Sequence, residues 1–175
     1  MIHSHWLTDT YDVDIIPERN IYLCTTRFSS DTYAENRNFC KHYRLPCCYS
    51  TPNGIHSKIP KFSTIYILEM CNSTNTISGI GKIINSPDYN LYNIYSDTSY
   101  NQDVQYIGSS HIDTSLLHDK TLITALETIC FTGRGHLKRG DGISLFPKKV
   151  INACLHHKLD IILEIENLFH SKKIK

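Results

Sequence analysis

Arg134, His136, Lys138 and Arg139 place four hydrogen-bond-donating side chains within six residues, in a stretch rich in glycine. Cys130–Pro147 reads Cys-Phe-Thr-Gly-Arg-Gly-His-Leu-Lys-Arg-Gly-Asp-Gly-Ile-Ser-Leu-Phe-Pro and holds four of the chain's eight glycines, Gly133, Gly135, Gly140 and Gly142. Glycine lets a backbone take positive φ and approach a partner closely, and the cationic groups supply donors for phosphate or carboxylate. The stretch therefore reads as a binding loop, with a merely solvated turn as the plainer alternative. It is not a nucleotide motif. It lacks the Gly-Lys-Ser/Thr ending of a P-loop and the spacing of the dinucleotide fingerprint, and it follows a helical pattern where both of those follow a strand.

A second set, Cys40, His42, Cys47, Cys48 and His56, has ligand types suited to zinc. Its Cys-x-His and Cys-Cys spacings do not give the Cys-x2-Cys turn that presents two ligands to one ion, so buried free thiols are the favoured reading and no metal or cofactor is assigned. His3 and His5 are read as solvated near a terminus. No Gly-x-Ser-x-Gly, His-Glu-x-x-His or zinc-deaminase pattern occurs, and no catalytic residue is assigned. A cysteine paired with His111 or His136, or a nuclease-like set of His136, Lys138 and Asp141, stays open, because such partners meet in space and not in sequence.

The whole chain narrows the choice. Its 175 residues carry 18 basic and 17 acidic side chains, a net charge of +1, so affinity for nucleic acid must come from a local patch. Lys138, Arg139, Lys148, Lys149 and the lysines at the end make the last third basic. Seven cysteines without a secreted-scaffold spacing suit a reducing, intracellular setting. No signal peptide and no membrane span are expected.

The elements that would position these residues are legible in outline. Residues 1–19 form a polar lead-in, and residues 20–170 one domain. Asn20–Thr26 reads as a strand, and Ser29, Ser30 and Asp31 offer caps to a helix over Thr32–His42. Tyr43–Pro60, with three prolines and Asn-Gly, is expected to be loop. Lys61–Cys71 reads as a central strand with Ile65, Ile67 and Glu69 on one face and Tyr66, Leu68 and Met70 on the other. A turn and a returning strand, Ile77–Ile84, complete a hairpin in which Gly79 and Gly81 leave one face bare for a backbone, a ring or a ligand. Leu91–Tyr95 and Tyr106–Ile112 read as strands, Ser115–Phe131 as a helix, Gly142–Pro147 as a short closing strand and Val150–Phe169 as one C-terminal helix bent near His156 and His157.

Three blocks carry a resemblance: Lys58-Ile-Pro with the strand ending Leu68-Glu-Met-Cys-Asn72, then Ile80-Gly-Lys-Ile-Ile-Asn85, then Tyr106-Ile-Gly-Ser-Ser-His-Ile together with Cys130–Gly140. They resemble a family of small uncharacterised proteins of large DNA viruses. Tyr100-Asn-Gln-Asp-Val-Gln-Tyr106 lacks the arginine of that pattern. In order of elements the chain is similar to the PUA-like group that includes the YTH and EVE readers of modified bases. Trp6 is the single tryptophan, so tyrosines would have to form an aromatic pocket.

The expected fold is α+β, a small curved or closed mixed β-barrel of PUA-like type with two or three flanking helices. The expected function is binding of RNA or single-stranded nucleic acid: Arg134, Lys138 and Arg139 would neutralise phosphates, His136 would hydrogen-bond phosphate or base, and Tyr100 or Tyr106 would stack. An enzyme on nucleic acid or nucleotide using His136, Asp141 or a cysteine, and a viral protein-interaction or virion component, are the alternatives.

Overall fold

The computed structural model describes residues 20–90 and 92–172. The lead-in with His3 and His5 lies outside them. Six strands form one curled mixed sheet in the order β2-β5-β4-β3-β1-β6, with four α-helices against it among the described residues. The fold is thus α+β around a half-barrel, with one helix more than expected.

β1 (Ile21–Phe28) leads through a single-residue link into α1 (Ser30–Tyr43). Ser29 makes the link a helix start: its Oγ accepts from Thr32 N, and Thr32 Oγ1 accepts from Ser29 N, a reciprocal capping box. β2 (Cys47–Thr51) runs within the segment expected to be loop, and it pairs antiparallel with β5 (Val104–Asp113). β3 (Thr64–Cys71) is central as expected, parallel to β1 and antiparallel to β4 (Thr76–Ile84). β6 (Ser144–Leu145) pairs antiparallel with β1, so the short exit strand does extend the sheet.

Two apolar layers use the two faces of β3. Tyr66, Leu68 and Met70 pack with Ile80, Leu126, Ile165 and Phe169 beneath α2 (Thr121–Phe131), α3 (Lys148–His156) and α4 (Ile161–Lys172). Ile65 and Ile67 pack inside the curl with Cys24, Tyr49, Ile83 and Tyr106. Alternation along one strand, period two, puts these side chains in different layers. α1 closes the open side against β1 and β2, with Phe39 and Cys40 packed on Cys48 and Ile94.

Three further expectations are corrected. Tyr92–Tyr95 is not a strand; Ile94 N and Tyr95 N donate to Asn101 Oδ1, and Gln105 exchanges two hydrogen bonds with the Tyr92 backbone. Side-chain amides take the place of a neighbouring strand. The helix expected from Ser115 starts at Thr121, after a 3-10 turn at Thr114–Leu116. The C-terminal helix is two helices, parted where Lys158 takes φ +61° and Asp160 Oδ1 accepts from Leu163 N. No helix among the described residues is long and apolar enough to cross a membrane.

Candidate functional site

The curl is not closed by a strand ladder. Among the described residues its two edges meet where Ile143, just before β6, donates from N to Thr51 Oγ1 of β2 in a buried hydrogen bond of 3.2 Å. Gly142 makes the approach possible: it takes φ +55°, and a Cβ there would lie 2.2 Å from Thr51 Oγ1. Beside this seam a cleft of about 760 Å³ opens between the end of β1, the start of α1, the end of β2, the β3–β4 turn, the 3-10 turn at Thr98–Gln102 and the glycine loop. That volume suits a small ligand or a single base.

Its aromatic lining comes from Phe28, Tyr95 and Tyr100. Tyr95 and Tyr100 meet edge to face with ring centroids 5.9 Å apart. Asn101 fixes this corner, since its Nδ2 donates to Tyr95 O at 2.6 Å while its Oδ1 takes two backbone N–H groups. The Tyr95 hydroxyl accepts from Asn36 Nδ2 at 3.2 Å, which ties it to α1. Tyr100 remains 50% exposed and so offers a ring face to a ligand.

The polar lining includes Arg27, Ser50, Asn72, Asp103 and Asp141. Arg27 donates from Nε to Leu137 O at 2.9 Å and from Nη1 to Ser144 Oγ at 2.8 Å, so it clamps both arms of the glycine loop. Burial lowers its pKa, and Cys130 and Asp141 work against that. Burial raises the Asp103 carboxyl. Asn72 donates from Nδ2 to Lys138 O at 3.1 Å, which fixes its amide. Its Oδ1 is buried without a hydrogen-bond partner, and so is Ser50 Oγ. Unpaired buried polar atoms are uncommon and ask for a reason. Here both belong to residues that line the same cleft.

The residues chosen from sequence divide accordingly. Tyr100 lines the cleft, and so does Asp141, the carboxylate of the enzymatic alternative. Arg134 and Arg139 are exposed on the loop, Arg139 next to the lining residue Gly140. The side chains of Lys138 and His136 are half-buried: Lys138 Nζ donates to Asn75 Oδ1 at 2.8 Å, and His136 Nδ1 accepts from Lys138 N at 3.4 Å. Tyr106 does not join them. It is 2% exposed inside the curl, with its hydroxyl accepting from Ile55 N, and leaves no ring face for a base. Tyr95 belongs to the run of tyrosines that the sequence offers as a stacking face, whereas Arg27, Ser50 and Asn72 went unnoticed as site residues, since nothing local marks them.

A second polar group lies in the core. Glu69, 0% exposed, accepts from the Tyr49 hydroxyl at 2.6 Å and meets His111 Nε2 at 2.9 Å. The Tyr33 hydroxyl is pushed up by burial and by the Glu69 carboxylate beside it. Gly79 and Gly81 provide the room: a Cβ on Gly79 would lie 2.2 Å from Glu69 Oε2, and one on Gly81 1.8 Å from the Tyr49 hydroxyl. His111 thus meets Glu69 in the core. Burial pushes the Cys24, Cys47 and Cys130 thiols up to about 12 and Cys40 to about 11. At Cys71 burial is outweighed by hydrogen bonds from Thr74, Ser30 and Ser73, which leave the thiol below its ordinary value. Among the described residues no three His, Cys, Asp or Glu side chains gather as metal ligands would. Cys40, Cys47 and Cys48 are buried free thiols, while His42 and His56 are exposed.

No protein-family model, curated protein or solved structure matches the chain.

Proposed function

We propose that the chain binds RNA or other single-stranded nucleic acid by admitting one base to the seam cleft. One observation carries this reading: Ser50 Oγ and Asn72 Oδ1 are buried without partners in a cleft that also presents the Tyr100 ring. Both atoms are out of solvent contact, so a base reaches them by turning the two side chains outward, and it then supplies polar edge groups in the plane of a flat ring that stacks. Asn72 Oδ1 accepts, so it calls for an N–H on the ligand. Stacking against an aromatic side chain contributes roughly 1–3 kcal/mol per base. The carboxylates of Asp103 and Asp141 disfavour phosphate inside the cleft, which leaves the backbone of the strand to Arg134 and Arg139 on the loop outside. This is also the arrangement that the resemblance to PUA-like base readers implies.

Anisotropy titrations of labelled RNA and DNA oligonucleotides across a salt series test it. Asn72→Ala and Ser50→Ala are expected to weaken binding by about fivefold each, the worth of one hydrogen bond. Arg134→Ala with Arg139→Ala should reduce the salt slope by about 1.4, two phosphate contacts on a single strand. Wild-type protein that binds no oligonucleotide, or cleft variants that bind as wild type does, would overturn the reading.

A further inference from the structure

Among the described residues four that are not glycine take positive φ: Arg44, Phe62, Asn75 and Lys158. Arg44 and Lys158 follow the ends of α1 and α3, and Asn75 sits in the β3–β4 turn, places where left-handed residues are ordinary. Phe62 is different. It is a bulky aromatic at φ +66°, where a turn normally uses glycine or asparagine, and its ring is 71% exposed.

The turn is held in this shape from outside. Ser63 N donates to Pro60 O, Phe62 N to Asn85 O at 3.0 Å, and Asn85 N to Ser63 O at 2.9 Å. The buried Asn85 side chain donates to both Ile59 O and Pro60 O. Such a conformation persists only where its surroundings over-determine it, and it clusters at sites of function. Among the described residues the ring packs in none of the three apolar clusters.

We infer that Phe62 is a second stacking station for a nucleic-acid strand, at the end of the barrel opposite the cleft. The inference extends the proposed function and rests on its nucleic-acid reading. Lys58 and Lys61, both exposed, precede Phe62 by four residues and by one, and the segment Pro52–Ser63 contains no acidic residue, so its charge suits a polyanion. A single projecting ring matches a single base. Phe62 precedes β3 and Asn72 follows it, and the eight residues of that strand at about 3.3 Å each separate the two stations by ~26 Å. A short oligonucleotide reaches one station, and a longer one reaches both.

The experiment measures affinity against oligonucleotide length, and binding to anionic phospholipid vesicles, for wild type, Phe62→Asn, Lys58→Ala with Lys61→Ala, and Asn72→Ala. Wild type is expected to gain affinity with length, and Phe62→Asn to lose about tenfold of it for the long strands only. Asparagine tolerates the left-handed region, so the variant should melt no lower than wild type. The lysine pair should lower the salt slope for long strands by about 1.4. If Phe62→Asn leaves the length dependence intact while Asn72→Ala weakens binding, the second station is refuted and the cleft stands. If Asn72→Ala has no effect while Phe62→Asn abolishes binding, the cleft fails and Phe62 stands. Loss of binding to anionic vesicles with unchanged oligonucleotide affinity would assign Phe62 to a membrane surface and overturn the inference.

Discussion

Glu69 shows what one buried charge demands of its neighbours. A carboxylate removed from water is costly unless hydrogen-bonded, and here Tyr49 and His111 meet its two oxygens. Both partners reach it across the bare strip left by Gly79 and Gly81. Gly81→Ala should therefore destabilise the fold by about 2–3 kcal/mol, through overpacking and displacement of the Tyr49 hydroxyl. The melting temperature should fall by about 5–10 °C. In the Gly81→Ala background, Tyr49→Phe should cost less than it does alone, because the hydroxyl that clashes is already displaced. A Gly81→Ala protein that melts with wild type would refute this packing. Glycines at i and i+2 announce a close approach, and alternation puts Glu69 on their face; both features were readable. That Tyr49, 20 residues away, and His111, 42 away, would occupy the space was not, because no local pattern encodes a distant partner.

At the scale of elements, legibility followed how local the governing interaction is. The start of α1 is set by the reciprocal capping of Ser29 and Thr32, and the sequence offers Ser29 as a cap. Ser29→Ala should cost about 1 kcal/mol and lower the melting temperature by about 2–4 °C, with Ser29→Asn restoring it, as circular dichroism melts would report. β2 was hidden by punctuation: Pro46, Pro52 and Asn53-Gly54 bracket five residues, yet Cys47–Thr51 is an edge strand packed on both faces, Cys47 and Tyr49 in one apolar cluster and Cys48 in another. Tyr92–Tyr95 misled in the opposite sense. Its aromatic and β-branched composition suits a strand, but Asn101 and Gln105 satisfy its backbone from their side chains. The cleft inherits the same division. Its glycine loop stood out from composition, whereas Asn72 and Ser50 matter only because the β3–β4 turn and the end of β2 converge on the seam.

For the molecule as a whole, the seam is the place where the barrel can open. β3 and β4 are paired on both sides, while β2 and β6 are edges of five and two residues joined through Thr51. Thr51→Val keeps the shape of the side chain and removes the acceptor, leaving Ile143 N–H buried and unpaired at a cost of about 1–3 kcal/mol. Because that loss is confined to the edges, it should appear as local opening before it appears as global unfolding. Hydrogen exchange is expected to quicken at Cys47–Thr51 and Ile143–Leu145, with β3 and β4 exchanging as in wild type. An oligonucleotide seated in the cleft would contact Ser50 of β2 and Gly142 just before Ile143, so it should restore protection to those segments in the variant. Uniform quickening across the sheet would mean that the edges are not a separate unit. Quickening at the seam that the oligonucleotide leaves unchanged would mean that the strand binds elsewhere.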